Sequence, residues 1–141
     1  MALRDDFRLV ATMQARFRDT DGMGHVNNAV YLTYLEEARA AWFREAVGLR
    51  SYREVSIILA RTCCDFRSPL LAGETLELGV RVASIGGKSF RMAYRAVERA
   101  SGRLVLEAES VQVWYDYAAG RPEPVPDAFR EKASAFEGRP L

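Results

Sequence analysis

Residues 19–39 read DTDGMGHVNNAVYLTYLEEAR. Two carboxylates, two glycines, the only histidine and two asparagines fall within residues 19–28. An apolar run follows at once: Val30, Tyr31, Leu32, Tyr34, Leu35, Trp42, Phe43 and Val47. Asn27 or Asn28 offers a side-chain cap for the first turn, and Gly48 stands where a helix ends in left-handed backbone. The spacing predicts a helix from Ala29 to about Val47. Only a narrow polar stripe interrupts it (Thr33, Glu36, Glu37, Ala40, Arg44), so the helix is expected to be mostly buried and wrapped by a sheet. A helix start needs one capping residue, and residues 19–28 carry far more polar chemistry than that.

Outward from this segment the chain alternates. Leu9, Ala11, Met13, Ala15 and Phe17 predict a first strand with one buried face. Val55–Arg67 is rich in strand-forming residues. Leu76, Leu78, Val80 and Val82, then Phe90, Met92, Tyr94 and Ala96, give two more strands, joined by a two-residue turn at Gly86-Gly87. Ser101-Gly102 turns the chain into a last strand over Leu104–Tyr117. There the apolar phase slips from Leu104, Leu106 and Ala108 to Val111, Val113 and Tyr115, which predicts a bulge near Glu109-Ser110. A proline-bearing loop (Pro122, Pro124, Pro126) leads to a short helix over Asp127–Glu137. The expected fold is α+β: one strand, one long central helix, then about four antiparallel strands in a meander curled around it. Such a sheet has free edges, and pairing two copies edge to edge would cover one of them.

The 141 residues suit one domain, 1–141, with enough chain for a core, and 49% hydrophobic residues exclude disorder. A net charge of +1 gives no broad footprint for nucleic acid. No run approaches the roughly 20 apolar residues of a membrane span, and the N-terminus lacks the apolar core of a signal peptide. Cys63 and Cys64 are neighbours and point to opposite faces of a strand, so no disulfide is expected and a reducing, cytoplasmic setting follows. One histidine and two adjacent cysteines make no usual zinc site. No GxSxG occurs, so a serine-hydrolase elbow is excluded. GGKS lacks the earlier glycine of a phosphate loop, with Val82 in its place.

The segment RFRDTDGMGHVNNAVYLTYLEEAR resembles the signature of hotdog-fold acyl-CoA thioesterases of the 4-hydroxybenzoyl-CoA thioesterase type. It is also similar to long-chain acyl-CoA and acyl-carrier-protein thioesterases that share HVNN followed by a tyrosine three residues on, here Tyr31. The likeness is dense over residues 16–39 and looser through DFRSPLLAGETLEL and SIGGKSF to about Tyr117. It implies a hotdog fold and hydrolysis of an acyl-CoA thioester, with no metal or redox cofactor. It implies Asp21 as the catalytic carboxylate, His25 four residues on as its neighbour, and the Asn28 backbone N–H as the group that polarises the thioester oxygen. Met23 stands where the acyl-carrier-protein branch carries an asparagine, so an Asp–Asn–His arrangement is not intact. The hairpin with Lys88 and Ser89 would lie near the CoA nucleotide, and Asn27 and Tyr31 beside the substrate. The active site would sit between subunits of a homodimer or homotetramer.

These residues suit that chemistry. The first turn of a helix offers free N–H groups and partial positive charge, and a donor aimed at a developing oxyanion is worth about 2.7–4 kcal/mol. Gly22 and Gly24 let backbone approach a substrate. Asp21 would attack the carbonyl itself or activate a water. Plainer roles stand beside these: Asp19 in turn chemistry or pairing with Arg16 or Arg18, Asn27 as cap, Tyr31, Tyr34 and Trp42 in the core, Glu36 and Glu37 in a solvated stripe rather than as a helix-borne catalytic carboxylate. The rival functions are a hotdog hydratase or dehydratase and a module that binds acyl-CoA without cleaving it.

Overall fold

The computed structural model describes residues 2–141. The central helix forms where its caps predict. Asn27 is extended and its side chain accepts the Ala29 N–H at 2.9 Å; helix α2 runs Asn28–Val47, and Gly48 closes it at φ 72°. Its buried face carries Tyr31, Tyr34, Leu35, Ala38, Trp42 and Phe43. The helix is not buried all round: Leu32 is 48% exposed, while Arg39, a charged residue, is 8% exposed. Preceding α2 are a single turn, α1 (Leu3–Asp6), and strand β1 (Leu9–Gln14). Phe17 does not extend β1. It is 87% exposed, because the chain tightens into a 3₁₀ turn at Phe17–Asp19 held by the Asp19 carboxylate.

Strands β2 (Ile57–Phe66), β3 (Thr75–Ile85), β4 (Ser89–Glu98) and β5 (Leu104–Asp116) complete an antiparallel sheet of order β1-β3-β4-β5-β2. The two-residue β6 (Arg121–Pro122) pairs with β5, and α3 spans Asp127–Glu137. Only β3, β4 and β5 form a meander. β2 precedes them in sequence but pairs with β5 at the far edge. The segment between β2 and β3 crosses the foot of the sheet, where Arg67 N donates to Val105 O at 2.8 Å and the Ser68 hydroxyl to Leu104 O at 2.6 Å. Leu76, Leu78, Val80 and Val82 of β3, and Phe90, Met92, Tyr94 and Ala96 of β4, form the inner face against which α2 packs. This is the hotdog arrangement: a curled sheet around one long helix.

Two local expectations are corrected. Ile85 pairs with Phe90 and Gly86 N donates to Ser89 O at 2.7 Å, so Gly87 and Lys88 form the tip of the β3–β4 hairpin, one residue later than Gly86-Gly87. In β5 the pairing is regular through Glu109 and Ser110, and the irregularity falls at Val105 instead. The inward phase does not slip: Ser110 and Gln112, both polar, face the core. They form a buried cluster in which the Tyr94 hydroxyl bonds Ser110 Oγ at 2.6 Å, Gln112 donates to Ser110 Oγ, and Arg39 donates to the Tyr94 hydroxyl at 3.3 Å. Hydrogen bonding lets polar groups occupy positions that alternation assigns to apolar ones.

Helix α3 is tied down by Glu137, whose Oε1 accepts both the Trp42 indole N–H at 2.8 Å and the Val82 N–H at 2.9 Å. Trp42 and Val82 are fully buried, and the pairing irregularity after Val82 is what turns its N–H toward α3. Among the described residues no helix is long and apolar enough to cross a membrane. Removing the Glu137 carboxylate leaves two buried donors unpaired, at about 1–3 kcal/mol each. Glu137→Ala is therefore expected to lower the urea midpoint at constant m-value, whereas Glu137→Gln, which keeps an acceptor, should recover most of the loss.

Candidate active site

The loop before α2 is built on Asp19, not Asp21. The Asp19 side chain is nearly fully buried at 4% exposure. Its carboxylate accepts the Arg16 backbone N–H at 3.0 Å, the Arg16 guanidinium at 3.3 and 3.1 Å, and the Tyr34 hydroxyl at 2.8 Å. Its carbonyl accepts the Asn27 N–H at 2.9 Å. Pairing with Arg16 is the plainer role foreseen for Asp19; the Tyr34 bond is a link that spacing along the chain does not show. Through these bonds one residue joins the end of β1, the loop and the buried face of α2. Burial alone would raise the Asp19 carboxyl, but the bonds from Arg16 and Tyr34 outweigh it and bring it from 3.8 down to about 2. Burial, then the bond to Asp19, pushes the Tyr34 hydroxyl up.

Asp21 sits in the turn that this anchor holds. Its N–H donates to His25 O at 2.8 Å, its carbonyl accepts Gly24 N–H at 3.0 Å, and its side chain accepts the Met23 N–H at 2.8 Å. Gly24 adopts φ 79°, which lets the turn close. The crossing segment supports the other side: Val26 N donates to Leu70 O at 2.8 Å, and His25 bridges to Leu71. His25 is half-buried and Asp21 exposed, with its carboxylate on the open surface of the single chain. At the helix start, Asn27 takes the Ala29 N–H on its side chain and the Val30 N–H on its carbonyl. The Asn28 N–H has no hydrogen-bond partner among the described residues. Asp21 and His25, in the turn before the helix, and Asn28, its first residue, thus lie at the N-terminal end of α2.

The remaining candidates divide. Asn27 is the cap. Tyr31 is 3% exposed and packs edge-on to Tyr34 at 5.9 Å and against Phe66 at 5.5 Å, in the core directly behind the loop. Lys88 and Ser89 lie elsewhere. Their hairpin is held by Trp114 N to Lys88 O and Val125 N to Gly87 O, at 2.8 and 2.9 Å, and Phe90 beside them meets Phe43 near the C-terminal end of α2. With 20 residues, α2 is about 30 Å long, so one chain holds Asp21 and Lys88 at opposite ends of its central helix. Leu70 and Leu71, which support the loop from the crossing segment, carry no periodicity that would mark them in the sequence. Among the described residues no three His, Cys, Asp or Glu side chains gather as a metal site.

A carboxyl lowered on folding adds stability above its unfolded value and loses it as pH falls through the folded one. The Asp19 contribution is therefore complete above about pH 3.9 and lost toward about pH 2. Urea titrations across that window should show a steep acid limb in the native chain and a flatter one in Asp19→Asn. Tyr34→Phe removes a hydrogen bond to a charged group, a loss of about 1.5–3 kcal/mol, and should also shift the limb to higher pH.

Comparison with known proteins bears on the fold and the family. The model of the thioesterase-like superfamily matches residues 15–133. A thioesterase of Thermus thermophilus, crystallised with coenzyme A and zinc, superposes with a TM-score of 0.87 at 38% identity, over 96% of this chain and 98% of that one. ATL3, a chloroplastic acyl-acyl carrier protein thioesterase of Arabidopsis thaliana, is 25% identical over 128 residues, 88% of this chain and 66% of that protein. YsmA, an uncharacterized protein of Bacillus subtilis strain 168, is 25% identical over 91 residues, 64% of this chain and 62% of its own length. The chain thus spans under two thirds of YsmA and about two thirds of ATL3. With a match across most of its length, the chain belongs to the thioesterase-like superfamily.

Proposed function

We propose that the chain hydrolyses an acyl-CoA thioester to a free acid and coenzyme A. Two observations support this reading: the exposed Asp21 carboxylate sits in the anchored turn that leads into α2, and the Asn28 N–H, the first of that helix, has no hydrogen-bond partner among the described residues. The open N–H and the partial positive charge of the helix end receive the thioester oxygen as it gains negative charge. Asp21 supplies the other half: it attacks the carbonyl carbon to form an anhydride that water opens, or it takes a proton from the attacking water. In both routes the carbon–sulfur bond breaks, and the sulfur leaves with a proton as the free thiol. His25, on the same turn, orients the substrate or the water. The Thermus thermophilus thioesterase, 38% identical and crystallised with coenzyme A, supports coenzyme A as the thiol.

The opposite placement of Asp21 and Lys88 supports a second copy as part of the working unit. Strand β2 is an edge of the sheet and presents Ile58, Leu59 and Phe66 to solvent at 42–47% exposure. Two β2 edges paired about a two-fold axis bury these residues and set the two central helices antiparallel. Lys88 and Ser89 of one copy then approach the Asp21 turn of the other, where an ammonium can meet a phosphate of the thiol. A homodimer, or a tetramer of such dimers, is the proposed assembly, in a cytoplasmic setting.

The test is thiol release from short, long and aromatic acyl-CoAs. Asp21→Asn keeps shape but removes the nucleophile or base, and kcat should fall by about 10²–10⁴-fold with the urea midpoint unchanged. Full activity in that variant on the best substrate rejects the reading, as does addition of water to an enoyl-CoA without thiol release. Sedimentation should find at least two copies together. Leu59→Glu should shift the equilibrium toward single chains and lower activity in proportion.

A further inference from the structure

The N-terminal segment crosses the outer face of the sheet, away from α2. Gly79 makes the crossing possible: a Cβ there would stand 2.6 Å from the Phe7 side chain. The Phe7 ring instead rests on bare backbone, with the Arg81 and Arg95 guanidinium groups 5.1 and 5.8 Å from its centre. Between this segment and the end of α3 lies a cleft of about 310 Å³. Arg4, Arg8, Arg81 and Arg139 line it.

These arginines differ from others on the sheet. Arg61, Arg91, Arg95 and Arg99 each meet a carboxylate. None of the four in the cleft forms an ion pair among the described residues. Two of the three carboxylates that line the cleft are already engaged: Asp6 with Arg95 at 2.7 Å, and Glu137 with the Trp42 and Val82 N–H groups. Only Asp5 remains. The Arg81 Nε–H is buried with no acceptor among the described residues, while its Nη1 donates to Asp6 O at 3.1 Å. Arg139 donates to Ala83 O at 2.8 Å, and Arg8 lies against Gly138, where a Cβ would meet Nη2 at 2.2 Å. Arg8, Arg81 and Arg139 are held in place by packing and carbonyl contacts, and with Asp6 spent on Arg95 the four guanidinium groups of the cleft outnumber its two other carboxylates, Asp5 and Glu137.

We infer that this cleft binds a phosphate-bearing ligand. Guanidinium forks match phosphate oxygens two at a time, and a buried donor without an acceptor is stabilised when an anion supplies one. The volume lies within the range of small-molecule sites, about 300–1,000 Å³. The cleft sits at the end of β3 far from Asp21, and its recognition of phosphate does not rest on the thioesterase reading. The ligand chemistry has two sources: the phosphates of coenzyme A, or a separate phosphate compound.

The experiment titrates the isotope-labelled full chain with inorganic pyrophosphate and, separately, coenzyme A at constant ionic strength, following the arginine Nε–H resonances. The Arg81 signal should shift saturably. Arg8→Gln with Arg139→Gln should weaken binding at least tenfold; Arg4→Gln, an exposed change, gives a second comparison if the double variant fails to fold. Arg91→Gln, on the same sheet face but ion-paired, should bind as the native chain does. Saturation by coenzyme A as well as pyrophosphate supports the first source, and by pyrophosphate alone the second. No saturable Arg81 shift with either compound, or unchanged affinity in the arginine variants, overturns the inference. Asp21→Asn should retain this binding, so loss of thioester cleavage and loss of phosphate binding are read separately.

Discussion

The hydrogen bonds that converge on the Asp19 carboxylate decide the shape of this site. A buried carboxylate is costly unless donors surround it, and here a guanidinium, a backbone N–H and a tyrosine hydroxyl do so. Their consequence is geometric. The chain leaves β1, turns at once, and is fastened to the inner face of α2 through Tyr34. Asp21, two residues on, is left at the tip of the turn with its carboxylate outward, and the helix start is left with one unspent donor. The two acidic residues of the DTD segment therefore differ in setting: the first is buried and holds the loop, and the second is exposed and accepts the Met23 N–H.

The inner face of the sheet shows a similar division. β3 and β4 present uninterrupted apolar rows to α2, but β5 places Ser110 and Gln112 inward, against Tyr94 and Arg39. Arg39, on the buried face of α2, finds the Tyr94 hydroxyl. Polar groups that bond one another in the core constrain which strand face can turn inward, since a shift of one residue would expose the cluster's partners and bury charged ones. The outer face follows opposite rules. Glu107 and Glu109 of β5 sit among Arg61, Arg67, Arg91 and Arg95 in a lattice of exposed ion pairs, each of small individual worth, and Phe7 covers the one notch that Gly79 opens in it.

The long helix also sets a limit on the single chain. Its N-terminal tip carries the carboxylate and the open donor; its other end carries the hairpin cation, the packed aromatics Phe43, Phe90 and Phe129, and the anchor at Glu137. The length of a helix is fixed by its residues, so no rearrangement within one chain brings these ends together. The exposed apolar edge at β2 and the separated ends of α2 both belong to the single chain, and the antiparallel pairing of two copies proposed above would relieve both.

Much of this was legible in the residues themselves. Capping at Asn27, termination at Gly48, the inward rows of β3 and β4 and the bounds of α3 follow from local rules, because each depends on neighbours one to four positions away. The candidates Asp21, His25 and Asn28 came from the resemblance that residues 16–39 carry, not from these local rules. What the tertiary structure alone decided involves partners distant in sequence. β2 joins β5 rather than β3, because the crossing segment finds its acceptors on Leu104 and Val105. The inward face of β5 stays in phase because Tyr94 and Arg39 meet its polar residues. Asp19 is an anchor because Tyr34, far along the next helix, turns its hydroxyl toward the carboxylate. Periodicity records which face of an element is apolar; it does not record which polar groups will find each other once the faces close.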